Sequence, residues 1–244
     1  AEVRTVAILD ERAFTSKHPK AQGFNFMPLE YSMHGSREVL NKTEPLDGKG
    51  ELRTTFKLEK QDFAYGRLTV ESAVQDDRGK NVAASTGADY VGVDRFVGLK
   101  SPEWAYEAKK PVNLEYIVVD DRGNPAAGTA VKVTLERLET TAVRVKGAGD
   151  AYLTNYNSEW KEAGSCEGTS TDDVLPCKFT PDKSGSYRAI ARIKDTKDRA
   201  QESGVGFWVT GSDYLVWDNQ SDVLLPIVPE KAEYKVGDTA KYLV

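Results

Sequence analysis

Any chemistry in this chain would have to come from few residues. Its histidines are His18 and His34, and in "MHGS" His34 stands two residues before Ser36. Those types can serve as base and nucleophile in acyl transfer. A catalytic pair is made in space, however, and no G-x-S-x-G elbow accompanies this one. The carboxylate pairs Asp76–Asp77, Asp120–Asp121 and Asp172–Asp173 raise acid–base work or calcium binding. Adjacent carboxylates point to opposite faces of a strand. Two of the pairs precede Arg-Gly, where Asp favours a turn. "DGKGE" lacks the alternating oxygen ligands of a calcium loop, and no Gly-Lys-Ser/Thr phosphate loop occurs. Cys166 and Cys177, in "SCEGTSTDDVLPCKF", sit across a polar stretch. They could face each other in adjacent strands, close a loop, or remain two thiols. No further Cys or His lies near enough in sequence to complete a zinc site. The expectation is no catalytic residue, no cofactor site and no metal site.

The elements that would position these side chains are strands. "ELRTTFKL" alternates Leu52, Phe56 and Leu58 with Glu51, Arg53 and Lys57. "RLTVESAV" and "VKVTLER" repeat the pattern with Leu68, Val70 and Val74 and with Val131, Val133 and Leu135. A period of two marks a half-buried antiparallel strand. "LDGKGE", "DDRGK", "DDRGNP" and "DKSGS" supply turns between strands. The best helical stretch, "SREVLNK", is too short to matter. Many short strands with regular turns predict an all-β chain of antiparallel β-sandwiches.

Composition bounds the partners. The 244 residues carry a net charge of −5, with 39% hydrophobic and 29% charged residues. That is a globular chain with no basic footprint for nucleic acid. Its longest apolar runs, such as "YIVV" and "VLLPIV", are too short to span a bilayer.

The chain also repeats itself. Shifted so that Tyr106 falls on Tyr234, "VGLKSPEWAYEAKKPVNLEYIV" overlies "LPIVPEKAEYKVGDTAKYLV" without a gap. Shifted so that Gly66 falls on Gly185, Gly66–Gly92 runs parallel to Gly185–Gly211. An opening signature thus occurs twice and a closing signature twice. The parse this predicts has three parts: residues 1–93, a β-sandwich lacking its first strands; residues 94–220, a complete one; and residues 221–244, the first strands of a third. Residues 138–174 are polar and weakly patterned, and are expected to form a long hairpin with a loop. Tyr152, Tyr156 and Trp160, interleaved with polar residues there, make a candidate contact surface. Trp104, Trp208 and Trp217 read as packing residues near unit boundaries.

At this point the pattern resembles the macroglobulin-like domains of bacterial alpha-2-macroglobulins. The resemblance is carried by "FVGLK" at Phe96–Lys100, "YKVGDTA" at Tyr234–Ala240, "FTPDKSGSYRAIARIKD" and "GFWVTG". It covers essentially the whole chain. It implies tandem macroglobulin-like sandwiches of the fibronectin-III or immunoglobulin-like type. It also implies a large bacterial protease inhibitor, periplasmic or cell-envelope associated, in which a protease cuts a bait segment and is trapped. The family's Cys-x-Glu-Gln thioester signature is not matched, since Cys166 precedes Glu167-Gly168 and Cys177 precedes Lys178-Phe179. The window then reads as scaffold, with proteases and neighbouring macroglobulin-like domains as partners of the parent protein. The extracytoplasmic setting and the isolation of the pair predict a Cys166–Cys177 disulfide. The tail from about Val223 is expected to fray or to pair with an exposed edge, giving a non-physiological dimer. The competing reading is a stand-alone adhesive or carbohydrate-binding array, with "AYLTNYNSEW" supplying stacking aromatics.

Overall fold

The computed structural model describes residues 1–29, 35–75, 78–146, 152–212, 228–229 and 235–243. It is built of strands: β1 (Glu2–Glu11), β2 (Ser36–Pro45), β3 (Tyr65–Gln75), β4 (Asn81–Val91), β5 (Arg95–Lys100), β6 (Ala105–Glu107) and β7 (Val112–Asp120). The second half adds β8 (Ala130–Lys146), β9 (Tyr152–Thr169), β10 (Leu175–Phe179), β11 (Gly185–Lys194), β12 (Ala200–Thr210), β13 (Val228–Pro229) and β14 (Tyr242–Leu243). The sole helical element among the described residues is a 3₁₀ turn at Pro19–Ala21. "SREVLNK" lies in β2, where Leu40 is buried, Val39 packs half-buried on Leu9, Phe63 and Tyr90, and Asn41 and Lys42 are exposed.

The strands make four sheets. One has the order β2-β1-β3-β4. A second, β10-β7-β5, and a third, β6-β12-β11-β8-β9, face each other as a sandwich. β13 and β14 form a small pair of their own. Pairing is antiparallel except between β6 and β12, which run parallel. The sandwich core follows from the period-two pattern. Leu114, Tyr116 and Val118 of β7 meet Val131, Val133 and Leu135 of β8 and Ala189, Ala191 and Ile193 of β11. Tyr187 and Phe207 stack inside it, ring centroids 5.7 Å apart.

The two larger sheets are copies. The order β4-β3-β1-β2 matches β12-β11-β8-β9, and the registers agree. Val74 pairs Val82 as Ile193 pairs Gln201, and Val3 pairs Val74 as Val131 pairs Ile193. The offset that overlays Gly66 on Gly185 therefore also overlays the β3–β4 ladder on β11–β12, whereas Val3 falls on Val131 at the other offset, the one that overlays Tyr106 on Tyr234.

One predicted strand differs. "ELRTTFKL" keeps its alternation, with Leu52, Thr54, Phe56 and Leu58 half-buried and their neighbours exposed. It joins no ladder among the described residues. The side-chain pattern that signals a strand is local, whereas the hydrogen bonds that complete one need a partner.

Candidate functional site: a two-unit junction and a projecting hairpin

β5 and β7 are buried on both faces, which is why "FVGLK" and "YIVVD" read as continuous apolar runs. One face looks into the sandwich. The other, formed by Phe96, Ile117 and Val119, is covered by Phe14, Ala21 and Phe26 from the β1–β2 connection. Phe14 stacks on Phe96 with centroids 3.8 Å apart, and Phe26 and Tyr65 meet Phe14 edge-on at 5.4 and 5.3 Å. Gly98 makes room for this contact, since a Cβ there would lie 2.7 Å from the Phe26 ring.

The connection also joins the sandwich by backbone. Asn25 exchanges two hydrogen bonds with Leu99, N–H to O at 2.8 and 2.9 Å, so it extends the free edge of β5. Gly204 of β12 donates its N–H to Met27 O at 3.0 Å. The Asn25 side-chain amide donates to Gly204 O at 2.7 Å and to Met27 O at 2.8 Å. Buried Gln201 links both sides, accepting from Val97 N–H at 2.7 Å and donating to Phe26 O at 3.2 Å. Farther along, Ser16 Oγ donates to Gly123 O at 2.6 Å, and Lys20 pairs with Asp173 and donates to Asp172 O. Beside the aromatic cluster lies a cavity of about 380 Å³, rimmed by Arg12, Asp62 and Arg199.

The link between β4 and β5 is held by charge. Asp195, buried in the β11–β12 turn, accepts the Asp94 N–H at 3.0 Å and those of Lys197 and Arg199 at 2.9 Å. The Arg199 guanidinium bonds it at 2.7 Å. Burial pushes the Asp195 carboxyl up, but the guanidinium and three amides outweigh burial and hold it far below the usual carboxylate range. Asp94 is lowered too. Burial opposes this, and the hydroxyl and amide of Thr196 prevail.

The second feature is a ribbon. β8 pairs with β11 only from Val131 to Arg137, yet its ladder with β9 continues from Leu138↔Trp160 to Lys146↔Tyr152. This far part of the hairpin runs beyond the sheet as two strands. The stretch expected to form a long hairpin with a loop pairs as regular ladder from Leu138↔Trp160 to Lys146↔Tyr152. Trp160 sits at its base under the Arg188 guanidinium, 4.3 Å from the ring centroid, and Arg188 Nε donates to Glu136 at 2.5 Å. Tyr156 is half-buried farther out. The backbone of Tyr152 pairs near the tip, and its side chain lies outside the described atoms. Tyr156 and Trp160 share one face of the ribbon by register, and Trp160 is engaged by Arg188.

Cys166 and Cys177 are joined as a disulfide with Cα atoms 5.8 Å apart. It ties β9 of one sheet to β10 of the other, so it staples the sandwich and does not merely close a surface loop. The remaining candidates take structural roles. His18 caps the 3₁₀ turn, its Nδ1 accepting from Lys20 N–H at 3.2 Å. Ser36 donates its hydroxyl to Asp10. Asp120 accepts from the N–H groups of Arg122 and Asn124, which is the turn chemistry its neighbours suggest. His34, Asp76, Asp77 and Trp217 lie outside the described residues. Among the described residues no three His, Cys, Asp or Glu come together to hold a metal ion. Sequence reasoning missed Phe14, Asn25, Phe26, Asp94, Asp195 and Gln201. The available signal was three phenylalanines, Phe14, Phe24 and Phe26, in a connection with no strand period.

No protein-family model matches the chain. It is 29% identical over 210 residues to an alpha-2-macroglobulin homolog of Nostoc sp. (strain PCC 7120 / SAG 25.82 / UTEX 2576), covering 86% of this chain and 11% of that protein. Its fold is similar to that of native E. coli alpha-2-macroglobulin, with a TM-score of 0.53, 15% identity, and 99% of this chain but 16% of that one covered. The elastase-activated E. coli protein gives a TM-score of 0.55 at 14% identity over 87% of this chain and 19% of that one. Salmonella alpha-2-macroglobulin reacted with methylamine gives 0.52 at 14% identity over 99% and 16%. The chain thus spans less than a fifth of the length of each of these four proteins. In sequence and in fold it resembles the bacterial alpha-2-macroglobulins, and its sheets have their macroglobulin-like β-sandwich architecture.

Proposed function

We propose that this chain is a scaffold segment of a bacterial alpha-2-macroglobulin-like, broad-spectrum protease inhibitor. It performs no catalysis itself. Its three parts are the macroglobulin-like units read from the repeats, 1–93, 94–220 and 221–244. The observation that carries the reading is the likeness to the Nostoc protein, which runs over 210 residues and so crosses both large sheets and their junction. The junction supports the role, since apolar packing, shared strands and a buried carboxylate fix one unit on the next. The disulfide fits a periplasmic or cell-envelope setting. The projecting hairpin, with Tyr156 and Tyr152 beyond the clamped Trp160, is the surface offered to a neighbouring domain or a bound protease. The test is incubation of the purified chain with a panel of proteases. The expected result is neither stoichiometric trapping nor a covalent adduct, with any cleavage falling within residues 138–174. Trapping by these 244 residues alone would overturn the scaffold role.

A further inference from the structure

The cavity beside the aromatic cluster sorts its residues by depth. Phe14, Phe26, Phe63 and Phe96 line it and are buried, none more than 7% exposed. Arg12, Lys60 and Ala200 line it too but are exposed, so they stand at its mouth. Rings within and cations at the opening make an amphipathic site. Its volume is about 380 Å³. That is the lower end of the range for ligand pockets, about 300–1,000 Å³. It suits a small molecule with one apolar group.

The charges decide what the polar end of that molecule must be. Glu11, Asp62 and Glu202 line the cavity, and each has a cation at hand. Arg37 bonds Asp62 at 2.8 Å and lies within reach of the Glu11 charge. Arg192 pairs with Glu202 at 3.1 Å. The lining cations are not matched in the same way. Arg199 is committed, to Asp195 at 2.7 Å and to Asp94 at 3.4 Å. The Arg12 guanidinium is 57% exposed and reaches Asp10 only at 3.8 Å. Lys60 is exposed and enters no ion pair among the described residues. Two loosely held positive charges thus stand over a ring-lined interior.

The backbone that carries both cations is fixed. Arg12 donates its N–H to Tyr65 O at 3.1 Å. Next to Lys60, Gln61 donates its N–H to the Tyr90 hydroxyl at 3.0 Å. A mouth whose main chain is already ordered loses less freedom when a ligand enters, because only the two side chains remain to be placed. An anion between them would gain charge-assisted hydrogen bonds.

We propose that this cavity binds a small carboxylate bearing one aromatic or branched apolar group, the apolar group against the buried phenylalanines and the carboxylate between Arg12 and Lys60. A free organic acid and the last residue of a peptide both offer that chemistry, and the cavity recognises what they share. The site goes beyond the scaffold role. Its test reads small-molecule binding and not protease trapping, so either can fail alone.

The purified chain is titrated calorimetrically with 3-phenylpropionate, with its neutral amide, and with acetyl-Gly-Gly-Phe. The acid should bind about tenfold tighter than the amide, the worth of one hydrogen bond to a charged group. Tighter binding of the free acid than of the peptide makes the source a small molecule, and the reverse makes it a chain end; both outcomes uphold the site. Arg12→Gln and Lys60→Gln should each weaken the acid several-fold and leave the amide unchanged. Both side chains are exposed, so the melting temperature should hold. Lys132→Gln, outside the cavity, should change nothing. Ala200→Trp, which sets an indole in the mouth, should abolish binding of all three ligands. If that variant does not fold, nuclear Overhauser contacts between the ligand ring and the Phe14 and Phe26 rings carry the same test in the unaltered chain. Equal affinity for acid and amide, no saturable binding of either acid, full affinity in both charge variants, binding that survives Ala200→Trp, or a bound ring without those contacts would each overturn the proposal.

Discussion

Asp195 shows how one side chain can organise a junction. It is buried, it carries its charge, and every partner it has is a donor: the Arg199 guanidinium and three backbone amides, one of them from Asp94 on the link between the sheets. Removing one partner of a buried, hydrogen-bonded charge pair leaves the other uncompensated. We therefore expect Asp195→Ala to cost about 3 kcal/mol, read as a lower urea midpoint at unchanged slope. The pH dependence has a definite sign. A carboxyl held below its unfolded value stabilises the fold above the ordinary carboxylate range, and that contribution is lost as pH falls through the folded value. The chain should lose stability on acidification below about pH 4, and Asp195→Asn should flatten that limb of the curve. A variant as acid-sensitive as the parent would show that other carboxylates dominate.

Among the elements, the β8–β9 hairpin and the strand β10 divide the work. The near half of the hairpin is a sheet strand pair packed on the core, and among the described residues the far half has no third strand. A two-stranded ribbon in water is marginal on its own. Amides of residues 139–146 and 152–159 should therefore exchange with solvent far faster than those of 131–137 and 161–168, whose strands belong to the larger sheet. Equal protection along the whole hairpin would point to a partner already seated on it. The disulfide gives a second test. The loop-entropy estimate for so short a loop is roughly 2–3 kcal/mol. Because Cys177 is wholly buried in the core opposite Leu114, reduction should loosen β7 and β10 as well as the hairpin. A destabilisation confined to residues 138–180 would mean that the bond acts locally.

For the whole molecule, the junction sets whether the two large sheets behave as one body. Phe14 and Phe26 stand between β1 and β2 of the first sheet and pack on Phe96, Ile117 and Val119 of β5 and β7, and Asn25 supplies a strand residue to β5. Unfolding should therefore be a single calorimetric transition. Phe14→Ala should cost about 3–4 kcal/mol. Asn25→Pro, which removes the N–H given to Leu99, should split the transition into two. Two transitions in the unaltered chain would show that the contacts are too weak to couple the units. Gly98→Ala should act in the same direction as Asn25→Pro, because its methyl group would enter the Phe26 ring.

Strand identity, the all-β class and the internal repeats were legible in the sequence because they depend on local alternation and on self-similarity at fixed offsets. The repeat offsets even carried the ladder registers, since copies of a strand pair keep their pairing. The resemblance to bacterial alpha-2-macroglobulins was likewise legible from motif order. The junction was not. Phe14, Asn25 and Phe26 stand in a connection without periodicity, and their partners are residues 96, 99 and 201, far along the chain. The clamp of Arg188 on Trp160 was hidden for the same reason, and so was the lack, among the described residues, of a ladder for residues 51–60. Side-chain alternation is a property of one segment, whereas a hydrogen-bond partner, a covering ring or an empty edge exists only once distant segments have been brought together in space.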